Sequence, residues 1–134
     1  MSKIVCLFLF CAFCTLSVPA LADDEGAAGQ KAAAAFVSAV REAVADGNKE
    51  AVAKLVNYPL EVDGAESIKD SAAFLKRYDA VITAAVKKCV AGHNTGEDIF
   101  QRNGQYMIGW GCFWFSPDEG GRMGIDAINT KEAQ

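Results

Sequence analysis

The chain has 134 residues, of which 51% are hydrophobic and 22% are charged. This composition is typical of a globular protein and excludes intrinsic disorder and collagen-like structure. Seventeen acidic residues against thirteen basic ones give a formal net charge of −4, which is the wrong sign for neutralising nucleic-acid phosphates. We therefore expect no nucleic acid as a partner.

The first 22 residues have the pattern of a secretory signal peptide. Lys3 gives a cationic start, residues 4–18 form an apolar run, and Ala20-Leu21-Ala22 is a small-x-small cleavage site. The apolar run is shorter than the roughly 20 residues that a membrane-spanning helix needs. We therefore expect cleavage after Ala22, no membrane anchor, and a periplasmic or secreted protein.

Export leaves two cysteines, Cys89 and Cys112, because the other three lie within the signal peptide. In an oxidising compartment the expected outcome is one disulfide, which could contribute roughly 3 kcal/mol by the loop-entropy model. Two buried free thiols are the alternative, since cysteine is also a good small core residue.

The chain after the cleavage site begins with a lead-in and two helices. Residues 23–30 are acidic and rich in Gly and Ala, so we expect a flexible lead-in. Apolar residues then recur at three- and four-residue spacing from Ala32 to Ala45, which predicts an amphipathic helix. Asn48 is placed to cap a shorter second helix, and a brief strand is predicted at Leu60–Val62 after Pro59.

The third predicted helix is the longest. It begins after a cap at Asp70 or Ser71 and ends near Gly92. Thr83 lies in the middle, so two helices with a bend are equally consistent with the pattern. One side of this region carries the apolar residues Phe74, Tyr78, Val81, Ile82, Ala85 and Cys89.

The hydrophobic pattern becomes alternating after Gly92. Asn103-Gly104 predicts a two-residue hairpin turn, which would place Phe100 opposite Met107. One long aromatic strand is then predicted over residues 105–115, and another over residues 122–128.

Helices followed by an antiparallel meander indicate an α+β fold. About three N-terminal helices are expected to pack on a curved antiparallel sheet in a single domain, residues 31–134.

Four segments carry a resemblance to a known family. They are Val56-Asn57-Tyr58-Pro59-Leu60, residues 74–79, Met107-Ile108-Gly109-Trp110-Gly111 and residues 125–129. Together they resemble small exported bacterial proteins of the nuclear transport factor 2-like superfamily, over nearly all of the chain after the signal peptide. The resemblance implies a cystatin-like α+β cone, with about three helices packed into a strongly bent antiparallel sheet. The superfamily includes isomerases, dehydratases and binding or assembly domains, so the implied fold does not select a function.

The long aromatic strand holds the candidate binding residues. In an extended chain Tyr106, Trp110 and Trp114 share one face with Cys112, and tyrosine and tryptophan are favoured anchors at interfaces. A buried central strand, covered on both sides, is the alternative interpretation.

Two glycines lie on the opposite face of this predicted strand. Gly109 and Gly111 permit a bend or the close approach of a helix, and a ligand resting on them is the functional alternative. A Cys89–Cys112 bridge would need the third helix to cover the Trp110 side, unless a bulge near Gly109 or Gly111 interrupts the strand.

Catalytic candidates are few. Asp126 could act as a base with Tyr106 or Tyr78 in an apolar cavity, although a solvent-facing carboxylate on an alternating strand is the simpler expectation. His93 is expected to be an exposed residue at a helix end. One histidine and two distant cysteines predict no metal site. No phosphate loop or dinucleotide fingerprint is present, so we expect no cofactor.

The leading hypothesis is an exported, non-catalytic binding module for a protein or a small apolar ligand. An inhibitor or immunity-type protein of the cell envelope is one concrete form, since an acidic chain suits a basic partner. A small isomerase- or dehydratase-like enzyme with Asp126 as base is the alternative. A homodimer formed through the sheet face is the third hypothesis.

Overall fold

The computed structural model describes residues 22–93 and 98–131. The predicted signal peptide, residues 1–22, therefore lies outside the described residues except for its last position. The elements in chain order are α1 (Ala22–Ala45), α2 (Lys49–Lys54), β1 (Val56–Val62), β2 (Glu66–Ile68), α3 (Ser71–Lys76), α4 (Tyr78–Val81), α5 (Ala84–Gly92), β3 (Phe100–Arg102), β4 (Gln105–Ile108), β5 (Phe113–Pro117) and β6 (Met123–Ile128).

The six strands form one sheet in the order β2-β1-β6-β5-β4-β3. The fold is α+β, as predicted, but β1 pairs with β6 in parallel, so the prediction of a wholly antiparallel sheet is wrong. Strands β1 and β2 also lie between α2 and α3 in the sequence, so not all helices precede the sheet. The β1–β6 register shifts between Val56 and Glu61, around Pro59, which lacks the N–H that a regular ladder needs.

Helix α1 begins at Ala22 rather than at Ala32, so the segment predicted as a flexible lead-in, residues 23–30, is helical in the structure. Its two alanines favour a helix, although its two glycines do not. Tertiary contact also supports the early start, because Gln30 Nε2 donates to the Ile99 carbonyl at 3.2 Å.

The predicted third helix is divided into α3, α4 and α5. Asp70 caps α3, with Oδ1 accepting from the Ala73 N–H at 2.8 Å. Thr83 caps α5, with its hydroxyl accepting from the Val86 N–H at 3.3 Å. A threonine hydroxyl that bonds the backbone ahead of it begins a new helix, so the interpretation of Thr83 as a break is confirmed.

The Asn103-Gly104 hairpin is confirmed. Both residues have positive φ, 53° and 79°, as a type I′ turn requires. Phe100 lies opposite Met107, in the predicted register.

The prediction of one strand over residues 105–115 is wrong. Gly109, Trp110 and Gly111 have φ angles of 58°, 55° and 98°, and consecutive left-handed residues cannot continue a strand. Residues 109–112 instead form a turn, called here the Trp110 turn. Strands β4 and β5 on either side of it pair antiparallel, with Tyr106 opposite Phe115.

One face of the sheet packs with the helices into a single apolar core. Buried residues alternate along β4 and β5, with Tyr106, Ile108, Phe113 and Phe115 facing inward. Phe36 of α1 contacts Phe115, with ring centroids 5.1 Å apart. The opposite face remains at least partly exposed. Within residues 22–93 and 98–131, no helix has the length and hydropathy to cross a membrane.

Candidate functional site

A disulfide joins Cys89 of α5 to Cys112 at the end of the Trp110 turn, with Cα atoms 6.7 Å apart. The predicted bridge is confirmed. In a continuous strand Cys112 would share a face with Trp110, and the helix that carries Cys89 would have to cover Trp110. The turn removes this conflict, because the chain reverses before Cys112. Helix α5 can therefore reach Cys112 without covering Trp110.

Gly109 lies directly against this disulfide. A Cβ at Gly109 would overlap Cys89 Sγ and would lie 3.0 Å from Cys112 Cβ. His93 closes the same space, because its Cε1 is 3.3 Å from that position and its Nδ1 is 2.6 Å from the Cys89 carbonyl oxygen. His93 is thus half-buried at the end of α5, rather than exposed as predicted.

The other side of the Trp110 turn is held by Asn129, just after β6. The Asn129 side-chain amide donates to the Gly111 carbonyl at 2.6 Å, and its backbone N–H donates to the Cys112 carbonyl at 2.9 Å. Within the turn, the N–H groups of Gly111 and Cys112 donate to the Ile108 carbonyl. The turn is therefore fixed by a helix on one side and a strand end on the other.

Trp110 projects from this fixed turn with 82% of its surface exposed. Its ring centroid is 6.0 Å from that of Phe100, which is 47% exposed. These are the two exposed large hydrophobic side chains within the described part of the chain. Exposed aromatic side chains next to each other are characteristic of interaction surfaces.

The exposed aromatic pair continues onto the outer face of the sheet. Met107 lies opposite Phe100 on β3 and opposite Trp114 on β5, and both Met107 and Trp114 are half-buried. Phe100, Met107, Trp110 and Trp114 are called here the aromatic patch.

Two of the three predicted binding residues, Trp110 and Trp114, belong to this patch, whereas Tyr106 does not. Tyr106 is buried in the core, where its ring stacks on Phe115 with centroids 5.4 Å apart. The expectation that all three share one face is wrong, because the strand that would align them is interrupted. Phe100 was not among the predicted binding residues, yet the predicted pairing of Phe100 with Met107 was the signal that could have found it.

A groove of about 480 Å³, lined by polar and apolar residues alike, lies at the other end of β5 and β6. Asp118 and Arg122 line it and are paired, with Nε 3.1 Å from Oδ2. The backbone N–H and guanidinium of Arg122 hold the pKa of Asp118 below its ordinary value. Asn57 Nδ2 lies between three acceptors, the carbonyls of Ser116 and Gly124 and the Asp126 carboxylate.

The candidate catalytic residues do not meet in this groove. Asp126 lines it, but neither Tyr78 nor Tyr106 does. Tyr78 is in the core, where burial raises its pKa and Lys49 Nζ lies 5.0 Å from its ring centroid. Tyr58 does line the groove, but its hydroxyl donates to the Ala53 carbonyl at 3.0 Å. The carboxylate–phenol pair required by the enzyme hypothesis is therefore not formed by these residues.

Asp126 is held by the sheet. Its Oδ1 accepts from Asn57 Nδ2, while Oδ2 is buried with no hydrogen-bond partner among the described residues. Asp126 is thus half-buried, whereas the alternating pattern of the strand predicted a carboxylate that faces solvent.

No group of three or more His, Cys, Asp or Glu side chains within residues 22–93 and 98–131 is arranged to hold a metal ion. Comparisons of the chain with protein-family models, curated proteins and solved structures found no match.

Proposed function

We propose that this protein is an exported binding module whose aromatic patch docks on a partner protein. The observation that carries the proposal is the 82% exposure of Trp110 in a turn that a disulfide and Asn129 hold in place. A ring fixed in its bound position before association loses little conformational entropy on binding. A side chain this exposed buries little apolar surface, so it contributes little to the stability of the fold.

The shape of the surface favours a protein over a small apolar ligand. Small-molecule sites are concave and mostly apolar, whereas Trp110 projects from a turn. Two cavities among the described residues have charged side chains in their lining. They are the groove of about 480 Å³, with Asp118 and Arg122, and a second cavity of about 170 Å³, with Asp63 and Arg77. The patch therefore suits a partner with a pocket of its own for an aromatic side chain.

The charge of the chain indicates the character of this partner. A net charge of −4 favours association with a basic protein. An inhibitor or immunity-type role toward a protein of the cell envelope fits small size, export and acidity together. Export itself is part of the proposal, supported by the signal-peptide pattern of residues 1–22 and by the disulfide, which is typical of oxidising compartments.

Membership of the nuclear transport factor 2-like superfamily is likewise a proposal. It is supported by the α+β fold, with the helices packed on one face of a six-stranded sheet. The aromatic patch lies on the face away from those helices.

Site-specific photo-cross-linking in the source cell tests the proposed function. A photoreactive phenylalanine analogue would replace Trp110 or Phe100, and the matched control would carry it at Lys69, an exposed position beside the opposite edge strand β2. We expect one adduct of the same mass from positions 110 and 100 and none from 69. The purified partner should then bind Trp110→Ala at least tenfold more weakly, as for a central interface aromatic. Equal adducts from all three positions, adducts of the chain with itself only, or no adduct would contradict the proposal.

A further inference from the structure

The disulfide connects the Trp110 turn to a separately anchored helix. Cys89 belongs to α5, which packs against α1, and Cys112 is completely buried at the end of the turn. Trp110 lies between the two glycines of the same turn. The position of the exposed ring is therefore linked covalently to the helical layer.

The two halves of the turn have different supports. Gly111 and Cys112 are held by Asn129 through two hydrogen bonds. The half that carries Trp110 has one bond within the turn, from the Cys112 N–H to the Gly109 carbonyl at 3.2 Å, and its Gly109 lies against the disulfide. A change in the oxidation state of the cysteines would therefore alter the contact between Gly109 and the disulfide, which supports the half of the turn that carries Trp110.

Reduction cannot leave this packing unchanged. Two thiols cannot remain at the separation of bonded sulfur atoms, and the surrounding space is filled. Gly109 lies so close that even a Cβ would overlap Cys89 Sγ, and Cys112 has no exposed surface. Separation of the sulfur atoms therefore moves the Cys89 side chain, the end of α5 or the Gly109–Trp110 half of the turn.

We propose that the oxidation state of Cys89 and Cys112 controls whether the aromatic patch is presented for binding. The disulfide form holds Trp110 in its binding position, and reduction by a dithiol releases it. This inference rests on the proposed function, because it concerns the regulation of the same surface. Loss of the fixed turn restores the entropy cost of ordering Trp110, so affinity should fall by about tenfold.

The reduction is an ordinary thiol–disulfide exchange. A thiolate of the dithiol attacks Cys89 Sγ, the more exposed sulfur site, since Cys89 is 9% exposed and Cys112 is 0% exposed. The Cys89–Cys112 bond breaks, a mixed disulfide forms at Cys89, and Cys112 leaves as a thiolate that takes up a proton. The second thiolate of the reductant then displaces Cys89 and closes the reductant's own disulfide. Two electrons and two protons pass from the dithiol to the cysteine pair.

Fluorescence of Trp110 tests the structural step without any partner. The chain has two tryptophans, so Trp114→Phe leaves Trp110 as the single fluorophore. Time-resolved anisotropy would be compared in the oxidised protein, in the dithiothreitol-reduced protein, and in a Cys89→Ala, Cys112→Ala variant. We expect fast local motion of Trp110 to increase on reduction and to be present in the double variant without reductant. Dithiothreitol should then change nothing further in the double variant, which makes it the matched control.

Two results would overturn the inference. Anisotropy that is identical in the oxidised and reduced proteins would show that the hydrogen bonds of the turn fix Trp110 without the disulfide. Loss of the far-ultraviolet circular dichroism on reduction would show that the disulfide supports the whole fold rather than this turn.

Binding of the cross-linked partner to the protein with both tryptophans separates the two proposals. If the partner binds the oxidised and reduced forms equally, the redox inference fails while the binding function stands. If Trp110 is released on reduction but cross-linking yields no partner, the binding function fails while redox control of the turn stands.

Discussion

Asn57 Nδ2 donates to Asp126 Oδ1 at 3.0 Å and thereby links β1 to β6 where the register of this parallel pair shifts. The same amide lies 3.2 Å from the carbonyl oxygens of Ser116 and Gly124. A Cβ on Gly124 would overlap the Asn57 side chain. Asn57 therefore occupies a site shaped for it at the centre of the sheet.

Replacing this amide should destabilise the fold. Asn57→Ala leaves Asp126 Oδ1 without its donor, and an unsatisfied buried acceptor costs about 1–3 kcal/mol. Urea unfolding would measure the loss, and a double-mutant cycle with Asp126→Ala would isolate the pair. Strictly additive effects of the two substitutions would contradict a direct interaction.

Gly104 of the β3–β4 hairpin and Gly109 of the Trp110 turn both have positive φ. They offer a matched comparison of the cost of adding a Cβ. Gly104, at φ 79°, has open space around a Cβ, so Gly104→Ala should cost about 1–2 kcal/mol for the left-handed backbone. Gly109→Ala should cost about 1–3 kcal/mol more, because the new Cβ also overlaps Cys89 Sγ. Urea midpoints of both oxidised variants would give the difference. Equal costs would show that the turn can move away from the disulfide.

The exposure of Trp110 leads to a prediction about stability. Trp110→Ala should change the free energy of unfolding by less than about 0.5 kcal/mol, as other surface substitutions do. Phe113, three positions later and 1% exposed, is the control, and Phe113→Ala should cost about 3–5 kcal/mol. A large destabilisation by Trp110→Ala would assign that ring to the fold instead of to a partner.

Asp63 makes stability depend on pH. The Thr130 hydroxyl, which donates to the Asp63 carboxylate at 2.7 Å, lowers the pKa of Asp63. Because the folded-state pKa lies below the ordinary aspartate value of 3.8, this stabilisation is complete above that pH. It is lost as the pH falls through the folded-state pKa.

The Thr130 variants test this dependence. Thr130→Val should raise the pKa of Asp63, as followed by NMR titration of its carboxyl carbon, and should reduce the loss of stability on acidification. Thr130→Ser keeps the hydroxyl and should retain the low pKa. A pKa that is the same in all three proteins would exclude the Thr130 hydroxyl as the cause.

The proposed export predicts a defined N-terminus. The intact mass of protein recovered outside the cytoplasm should correspond to a chain that begins at Asp23. Replacing Ala20 by Gln should block cleavage, because that position must be small, whereas Leu21→Phe should be processed normally. Recovery of the uncleaved chain from the wild-type sequence would refute the signal-peptide assignment.

Local signals in the sequence were sufficient for much of the fold. The cap at Asp70, the hairpin at Asn103-Gly104 and the spacing within α1 each depend on neighbouring residues, and each is present in the structure. The Trp110 turn depends instead on contacts with Cys89 and Asn129, which are distant in sequence. A tryptophan at positive φ has no local signature, so a continuous strand was predicted in its place.

The difference between local signals and contacts distant in sequence also explains which parts of the candidate site could be predicted. The disulfide was predicted from the expected compartment and the number of cysteines, and two patch residues, Trp110 and Trp114, were among the predicted binding residues. Tyr106 was placed with them because alternation was extended through Gly109 and Gly111, where the sequence permits a bend or a bulge but does not specify a turn. The parallel pairing of β1 with β6 joins strands far apart in the chain, and no local pattern specifies such a pairing.

The position of β6 sets the order in which the molecule can assemble. It is the last strand of the described chain, yet it lies in the middle of the sheet, between β1 and β5. Until Met123–Ile128 is available, the β1–β2 hairpin and the β3–β5 meander have no strand to connect them. A chain that is synthesised from its N-terminus therefore completes its sheet and closes its core only when its final strand arrives.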